Sequence, residues 1–222
     1  MHNATSTRDL FAPACVSHDR RLELCEGAAV LRGFALPFER ALGDGVHGIE
    51  AAAPFRHMQT PGGYSMSVAM TNCGAHGWVS DPTGYRYSTT DPDTGADWPL
   101  MPTVFRELAR AAAQEVGFPR FIPDACLVNR YKPGARLTLH QDRDEQDFRE
   151  PIVSVSLGVP AIFLFGGLKR KDRPQRVPLE HGDVVVWGGP ARLRYHGVAK
   201  LEESRHPFAG NARINLTLRR AL

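Results

Sequence analysis

Two histidines and one aspartate have the residue types and the spacing of a metal site. His140 and Asp142 stand two positions apart, and His196 follows much later in the chain. On a strand, residues i and i+2 point to the same side, so His140 and Asp142 can reach one ion if that segment is extended. Two imidazoles and one carboxylate leave half of an octahedral ion open to small molecules. This arrangement favours ferrous iron and oxygen chemistry.

The last strand-like segment carries a polar face that could bind a carboxylate. Its four members are Arg213, Asn215, Thr217 and Arg219, which alternate with apolar residues. If this face points inward, Arg213 offers a planar fork to a carboxylate, and Asn129 and Tyr131 form a second i, i+2 pair that could bind the same anion. A metal beside such an arginine indicates a keto acid that chelates iron while its far end is clamped. The alternative is a half-exposed strand with its arginines in water.

The elements that must position these residues are mostly strands. Two apolar stripes at helical spacing predict helices over residues 38–49 and 103–116, although three glycines weaken the first. Strand-like segments bounded by turn residues cover 64–71, 125–131, 137–141, 152–159, 161–165, 177–179, 184–187, 195–198 and 213–219. Many short strands of this kind predict a mainly β jelly roll, with the two helices buttressing one outer face.

Composition sets broad limits on the class of protein. The chain has 222 residues and a net charge of +3, which permits an anionic partner without demanding one. Its four cysteines form no C-x-x-C pair, which favours free thiols in a reducing cytosol. No apolar run reaches the length of a membrane span, and the first residues lack the apolar centre of a secretory signal. We therefore expect a cytoplasmic monomer, with no membrane association and no evident protein partner.

Several longer segments carry a family resemblance. They are TPGGYSMSVAMTNCG, PDACLVNRYKPGARLTLHQDRDE, PIVSVSLGVPAIFLFGGLKR, LEHGDVVVWGG, YHGV and RINLTLR. Together they closely resemble the bacterial AlkB family of iron(II)- and 2-oxoglutarate-dependent dioxygenases, which repair alkylated nucleic acid bases. The likeness spans roughly residues 27–219, and its combined motifs are highly specific.

The resemblance implies a fold and a domain organisation. The fold would be a double-stranded β-helix, a cupin-like jelly roll, with a nucleotide-recognition lid made from the region before it. Residues 1–26 would be an N-terminal extension and residues 27–222 a single domain. The lid would cover about 55–95, and the jelly-roll core about 123–220.

The resemblance also implies a cofactor site. His140, Asp142 and His196 would bind Fe(II), beside the cosubstrates 2-oxoglutarate and O2. Arg213 would pair with the distal carboxylate of 2-oxoglutarate, helped by Asn129 and Tyr131. A further pair, Asn215 and Arg219, would lie near the end of 2-oxoglutarate that is bound to iron.

Six residues would contact the substrate according to the same resemblance. Asp144 would face the target base, and Trp78 would stack on it opposite His140. Tyr85 and Thr60 would meet the phosphate backbone. Met70 would line the pocket, and Arg170 would add a further contact.

The residues themselves leave alternatives open. Asp144 continues the i, i+2 series from His140, but it could equally be a solvated loop acid. Trp78 lies in a glycine-rich polar segment and could stack on an extruded base or cover the surface. The basic run 169–173 is more often a solvated loop than a phosphate site, and Trp187 is most simply a core residue.

The expected function is oxidative demethylation of alkylated bases, such as 1-methyladenine and 3-methylcytosine, in alkylated DNA. Succinate, carbon dioxide and formaldehyde would be released. The main alternative is a 2-oxoglutarate oxygenase acting on RNA, protein or a small molecule. A second alternative is a non-enzymatic jelly-roll binding module with a closed metal site, which leaves the carboxylate clamp unexplained.

Overall fold

The computed structural model describes residues 20–222, so most of the predicted N-terminal extension lies outside the described residues. The two helices are α1 (Glu39–Ala52) and α2 (Thr103–Glu115). The strands are β1 (Arg21–Cys25), β2 (Ala28–Leu31), β3 (Ala69–Gly74), β4 (Gly77–Asp81), β5 (Gly84–Ser88), β6 (Ala125–Tyr131), β7 (Leu137–His140), β8 (Ile152–Gly158), β9 (Ala161–Phe165), β10 (Gln175–Leu179), β11 (Val184–Trp187), β12 (His196–Val198) and β13 (Arg213–Arg219).

Seven antiparallel strands form the larger sheet, in the order β1-β2-β11-β8-β13-β6-β3. Strand β8 shows how the sequence sets its two faces. Val153, Val155 and Leu157 belong to the apolar cluster beneath the helices, whereas Ser154 and Ser156 alternate with them and point the other way. The inner face of this sheet is therefore partly polar, as a binding cavity requires.

The smaller sheet has the order β10-β9-β12-β7 and packs against the larger one. Val185 and Trp187 of β11 lie in one buried cluster with Phe163 and Phe165 of β9. The ring centroids of Phe163 and Trp187 are 5.8 Å apart. Two antiparallel sheets joined in this way form the predicted jelly roll, and the fold prediction is confirmed.

Both predicted helices are confirmed, and they cover the outer face of the larger sheet. Leu42, Val46 and Ile49 of α1 and Phe105 and Leu108 of α2 are buried against that face. The glycines that weakened the prediction of α1 have a packing reason. A Cβ atom on Gly45 would lie 2.8 Å from the Phe105 ring, so the missing side chain lets the helices approach closely. No helix within residues 20–222 is long and apolar enough to cross a membrane.

The strand expected over residues 64–71 is only partly correct. Strand β3 begins at Ala69 and continues to Gly74, while Thr60 and Tyr64 close an irregular turn through a backbone hydrogen bond of 2.9 Å. Tyr64 is 78% exposed and cannot share the buried face of Met70. The sequence pattern placed the start of the strand too early. Tyr64 and Met66 continue the apolar alternation, although both lie on a loop before β3.

Four strands, β1, β2, β4 and β5, were not predicted from the sequence. Strands β4 and β5 form a separate hairpin whose polar and glycine-rich sequence has no apolar alternation. Strand β1 pairs with β2 at the edge of the larger sheet, although its residues were assigned to the N-terminal extension. An edge strand lacks a second neighbour, which leaves β1 half-exposed and weakens its apolar signal. The division into an extension and one domain stays a prediction.

Candidate active site

The two histidines of the expected triad are direct neighbours on the smaller sheet. His140 is the last residue of β7 and His196 is the first residue of β12, and the two are partners in the antiparallel register. Their ring centroids are 4.4 Å apart. The pairing of β7 with β12 therefore brings together two residues that are far apart in the sequence.

Asp142 completes the cluster from a loop. Strand β7 ends at His140, so Asp142 and Asp144 lie on the loop that follows it and not on the paired strand. Oδ1 of Asp142 lies 3.5 Å from Nε2 of His140, and Oδ2 lies 3.7 Å from Nε2 of His196. The ligand atoms of the three residues all lie within 4.8 Å of one another, close enough to share one ion.

Hydrogen bonds to the main chain orient both imidazoles. Nδ1 of His140 lies 2.8 Å from the carbonyl oxygen of Thr138, and Nδ1 of His196 lies 3.1 Å from that of Arg194. A carbonyl accepts, so each Nδ1 carries the proton and each Nε2 is left as a ligand atom. Burial, together with the neighbouring His140, lowers the pKa of His196 to about 3, which keeps this ring neutral at physiological pH.

Arg219 holds the carboxylate of Asp142. Its Nε and Nη2 atoms lie 2.9 and 2.7 Å from Oδ2 of Asp142. Burial alone would raise the pKa of Asp142, but Arg219 and the nearby histidines outweigh it and hold that pKa well below its usual range. The carboxylate is therefore ionised, and Oδ1 remains directed at His140.

Gly197 is required beside His196 for a steric reason. A Cβ atom at this position would lie 2.5 Å from the carbonyl oxygen of Leu137 on the paired strand. The close approach of β12 to β7 therefore requires a residue without a side chain next to His196.

A cavity adjoins the triad between the two sheets. Four of the residues that line it belong to the polar face of β13, namely Arg213, Asn215, Thr217 and Arg219. The face therefore points inward, as the functional interpretation of that strand required. Asn129 and Tyr131 of β6 line the same cavity.

Arg213 is buried and only partly bonded. Its Nη2 donates a 2.9 Å hydrogen bond to Ser156, and its guanidinium lies over the Tyr131 ring at 5.1 Å. Within residues 20–222, Nε and Nη1 have no hydrogen-bond partner. Burial lowers the pKa of this guanidinium, an effect that an anion beside it would offset. Two buried donors with no partner among the described residues leave this guanidinium able to bind an anion.

The amides beside Arg213 are fixed by their neighbours. Asn129 donates to Oδ1 of Asn215 at 3.3 Å, and Thr217 donates to the same oxygen at 2.9 Å. The Nδ2 atom of Asn215 donates to Ser154 at 2.8 Å. This network sets the orientation of the polar cavity wall before any ligand binds.

Ser154, Ser156 and Trp187 are site residues that the sequence analysis missed. Ser154 and Trp187 line the cavity, and the Trp187 ring lies 4.8 Å from that of His196. The alternation of Ser154 and Ser156 with apolar residues in β8 was a usable signal. Trp187 follows three valines, so its sequence context indicated only a core residue. In the structure its ring belongs to a buried apolar cluster and also lines the cavity.

The hairpin β4–β5 closes one side of the cavity. Trp78 lines the cavity, and its Nε1 donates a 2.7 Å hydrogen bond to Oδ2 of the exposed Asp144. Tyr85 stacks on Trp78 with centroids 5.6 Å apart and planes inclined by 14°. Tyr85 itself does not line the cavity, so it backs the indole from the outer side and is 47% exposed.

The remaining expected substrate residues fall into two groups. Met70 is buried and lines the cavity with Trp78. Thr60 lies on the turn closed by Tyr64, and Arg170 lies on an exposed turn after β9; neither lines the cavity.

The donor sets match a known combination of cofactor and cosubstrate. Two imidazoles and a carboxylate suit iron(II) and leave coordination positions open. The buried Arg213 donors suit the far carboxylate of a dicarboxylic keto acid in the adjoining cavity.

Comparisons with known proteins agree with this geometry. Residues 27–219 match the family model of the 2OG-Fe(II) oxygenase superfamily. The chain is 57% identical to the alpha-ketoglutarate-dependent dioxygenase AlkB of Salmonella typhimurium, over 96% of this chain and 97% of that protein. It is 54% identical to AlkB of Escherichia coli over the same shares.

More distant proteins match the chain in sequence or in structure. A DNA N(6)-methyladenine demethylase of Arabidopsis thaliana is 34% identical over 63% of this chain and 36% of its own length. The solved structure of OsALKBH1 superposes with a TM-score of 0.77 at 29% identity, covering 90% of this chain and 99% of that one. The chain therefore belongs to the AlkB family of the 2OG-Fe(II) oxygenase superfamily, dioxygenases whose cofactor is iron(II) and whose cosubstrates are 2-oxoglutarate and O2.

Proposed function

We propose that this protein oxidatively demethylates alkylated bases in nucleic acids, with 1-methyladenine and 3-methylcytosine in DNA as its substrates. The observation that carries the proposal is the hydrogen-bonded pair of Trp78 and Asp144 at the cavity that adjoins the triad. It offers a flat aromatic surface and a carboxylate together, next to His140. An extruded base needs both a stacking surface and an edge contact.

The same pair favours a positively charged base. One face of Trp78 is covered by Tyr85, so its other face is left for a ring stacked between Trp78 and His140. The negative face of an indole attracts a cation, and the Asp144 carboxylate adds to that preference. Methylation at N1 of adenine or N3 of cytosine gives a cationic ring, whereas the unmodified bases are neutral.

The buried polar residues would hold the cofactors. His140, Asp142 and His196 would bind iron(II), and Arg213 would clamp the distal carboxylate of 2-oxoglutarate with help from Tyr131 and Asn129. Asn215 and Arg219 would border the end of the keto acid nearest the metal. Arg219 is already engaged by Asp142, so its contribution there is mainly to hold that ligand in place.

The chemistry follows from these positions. When bound, iron(II), 2-oxoglutarate and O2 supply a decarboxylation coupled to hydroxylation of a C–H bond, with succinate and carbon dioxide as products. The protein's own residues orient the methyl group towards the triad and shield the cavity from water. A hydroxymethyl group on a ring nitrogen then loses its O–H proton, its C–N bond breaks, and formaldehyde leaves with the unmodified base restored.

Contacts outside the cavity would position the strand. Tyr85 and Thr60 are exposed or half-exposed beside the hairpin, and Arg170 lies in a basic run, so all three could meet phosphates. The Arabidopsis relative is named as a DNA demethylase, which supports DNA as the polymer. A monomeric state and a cytoplasmic location stay predictions from the sequence.

The test is formaldehyde release from a single 1-methyladenine in a short DNA strand. The assay contains iron(II), 2-oxoglutarate and O2, and each is omitted in turn. The unmethylated strand is the matched control. We expect one formaldehyde and one succinate per base repaired; succinate formation that the methylated strand does not stimulate would refute the proposal.

A second set of substrates separates the alternative oxygenase functions. RNA of the same sequence, the free methylated nucleoside and a methylated peptide are assayed beside the DNA. Faster turnover of RNA, peptide or nucleoside than of DNA would replace DNA as the proposed substrate and keep the metal site.

A further inference from the structure

Two partners in the β4–β5 hairpin both reach the loop that carries a metal-ligating carboxylate. Trp78 and Tyr87 lie directly opposite each other in the antiparallel register, which places their side chains on one face. Trp78 donates to Asp144, and the Tyr87 hydroxyl donates to Oε1 of Glu145 at 2.7 Å. The hairpin is therefore joined to the loop after β7 through two consecutive acidic residues.

Glu145 differs from Asp144 in its surroundings. Its side chain is only 1% exposed, and it accepts a 3.0 Å hydrogen bond from Nη2 of Arg192 through Oε2. Its Oε1 atom, besides the contact with Tyr87, lies 3.3 Å from Nε of Arg219. A carboxylate this deeply buried is retained only when its oxygens are fully bonded.

The same two arginines hold the metal-ligating aspartate. Arg219 binds Oδ2 of Asp142 at 2.7 Å, and Nη1 of Arg192 donates to the main-chain oxygen of Asp142 at 3.0 Å. Two carboxylates and two guanidiniums thus form one buried, charge-balanced network around Asp142. Burial raises the pKa of Tyr87 well above its usual value, so its phenol stays a donor to this network.

We propose that Tyr87 and Glu145 are positioning residues that couple the seating of the hairpin to the coordinating geometry of Asp142. Arg219 binds both Glu145 and Asp142, so Glu145 holds this arginine in the position from which it binds the Asp142 carboxylate. Tyr87 fixes Glu145 from the hairpin side. Since coupling is reciprocal, metal binding should also order the hairpin that carries Trp78.

The first test measures metal binding without turnover. Co²⁺ is titrated into the purified full chain and followed by its visible absorption, for wild type, Tyr87→Phe and Glu145→Gln. We expect Co²⁺ affinity to fall about tenfold in both variants, near the low end for groups that orient a ligand. The matched control is Tyr64→Phe, which removes a phenol from an exposed turn and should leave the affinity unchanged.

The second test measures the reverse coupling. Amide hydrogen exchange of residues 77–88 is compared with and without Co²⁺. Protection should increase with metal in the wild type and increase much less in Tyr87→Phe. Glu145→Gln keeps an acceptor for Tyr87 and removes the charge. If Tyr87→Phe proves poorly folded, the exchange of residues 77–88 with and without Co²⁺ is compared between Glu145→Gln and wild type instead, and the gain in protection should again be smaller in the variant.

Two results would overturn the proposal. One is a lower melting temperature of Tyr87→Phe with wild-type Co²⁺ affinity, because it would reveal a merely structural role. The other is hairpin exchange that is indifferent to metal. The proposal rests on the metal site and uses no nucleic acid, so failure of the demethylation assay would leave these measurements valid.

Discussion

Trp78 and Asp144 are joined by a 2.7 Å hydrogen bond from the indole Nε1 to the carboxylate Oδ2, at the cavity beside the two histidines. The bond fixes the plane of the indole relative to the site. It also leaves the negative charge of Asp144 beside any ring that stacks on Trp78. The charge and the stacking surface can be separated by substitution.

Asp144→Asn should reduce selectivity for charged bases. The amide still accepts the bond from Trp78 but carries no charge, so kcat/KM for the cationic 3-methylcytosine should fall about tenfold. The neutral 3-methylthymine should be much less affected. Formaldehyde release from two otherwise identical oligonucleotides measures this, and an equal loss on both bases would exclude a charge effect.

His140→Ala should abolish turnover because it removes a ligand at the end of β7. Loss of a direct ligand should lower Co²⁺ affinity by more than the about 10- to 100-fold typical of groups behind the ligands. The control is His47→Ala, which removes a histidine from the exposed surface of α1 and should leave turnover and Co²⁺ affinity unchanged. Full activity in His140→Ala would refute the iron assignment.

Arg213→Met should separate ligand binding from stability. The arginine is buried, and two of its donors have no partner within residues 20–222, so an apolar chain of similar length should leave the melting temperature of the ligand-free protein unchanged or higher. The KM for 2-oxoglutarate should rise by at least about 30-fold, since a buried charged contact is lost.

Thermal unfolding with and without 2-oxoglutarate checks this prediction. Wild type should gain stability from the cosubstrate in the presence of Co²⁺, and Arg213→Met should gain much less at the same cosubstrate concentration. An unchanged dependence on 2-oxoglutarate would remove Arg213 from the clamp.

Gly197→Ala should disturb the metal site through the backbone. The added methyl group would overlap the Leu137 carbonyl and push β12 away from β7, moving His196. We expect a loss of about 1–3 kcal/mol in the free energy of unfolding, together with weaker Co²⁺ binding. Urea denaturation and metal titration of the same samples measure both effects; a stable variant with normal affinity would contradict the steric argument.

The stability of the protein should depend on pH through His181. Its ring stacks on His206 at 4.3 Å and lies 3.7 Å from Glu39, and burial together with His206 lowers its pKa. The unfolded chain therefore takes up this proton first as the pH falls. The contribution of His181 is complete above its unfolded pKa of about 6.5 and is lost as the pH falls towards the lower folded value.

Urea midpoints at pH 7.5, 6.5 and 5.5 test this dependence. Wild type should lose stability across the series, and His181→Gln should lose less. An identical pH profile in the variant would show that other groups control the acid response.

The sequence alone determined which residues could do the chemistry. His140, Asp142 and Arg213 were identified from residue type and from two-residue spacing, because ligand chemistry and strand alternation are local properties. His196 was identified from its residue type and from the family resemblance, without a spacing signal. Strands β6, β9, β11 and β13 were found with their observed bounds for the same reason. Both helices followed from apolar stripes that repeat within a few turns.

Only the tertiary structure decided how these residues meet. The pairing of His140 with His196 depends on two strands far apart in the chain, and Asp142 reaches them from a loop held by Arg219. The hairpin β4–β5 carries no apolar alternation, and Tyr87 and Glu145 have no sequence signal, since their roles arise from one buried contact. Long-range register and buried charge balance depend on the whole chain, so no local pattern predicts them.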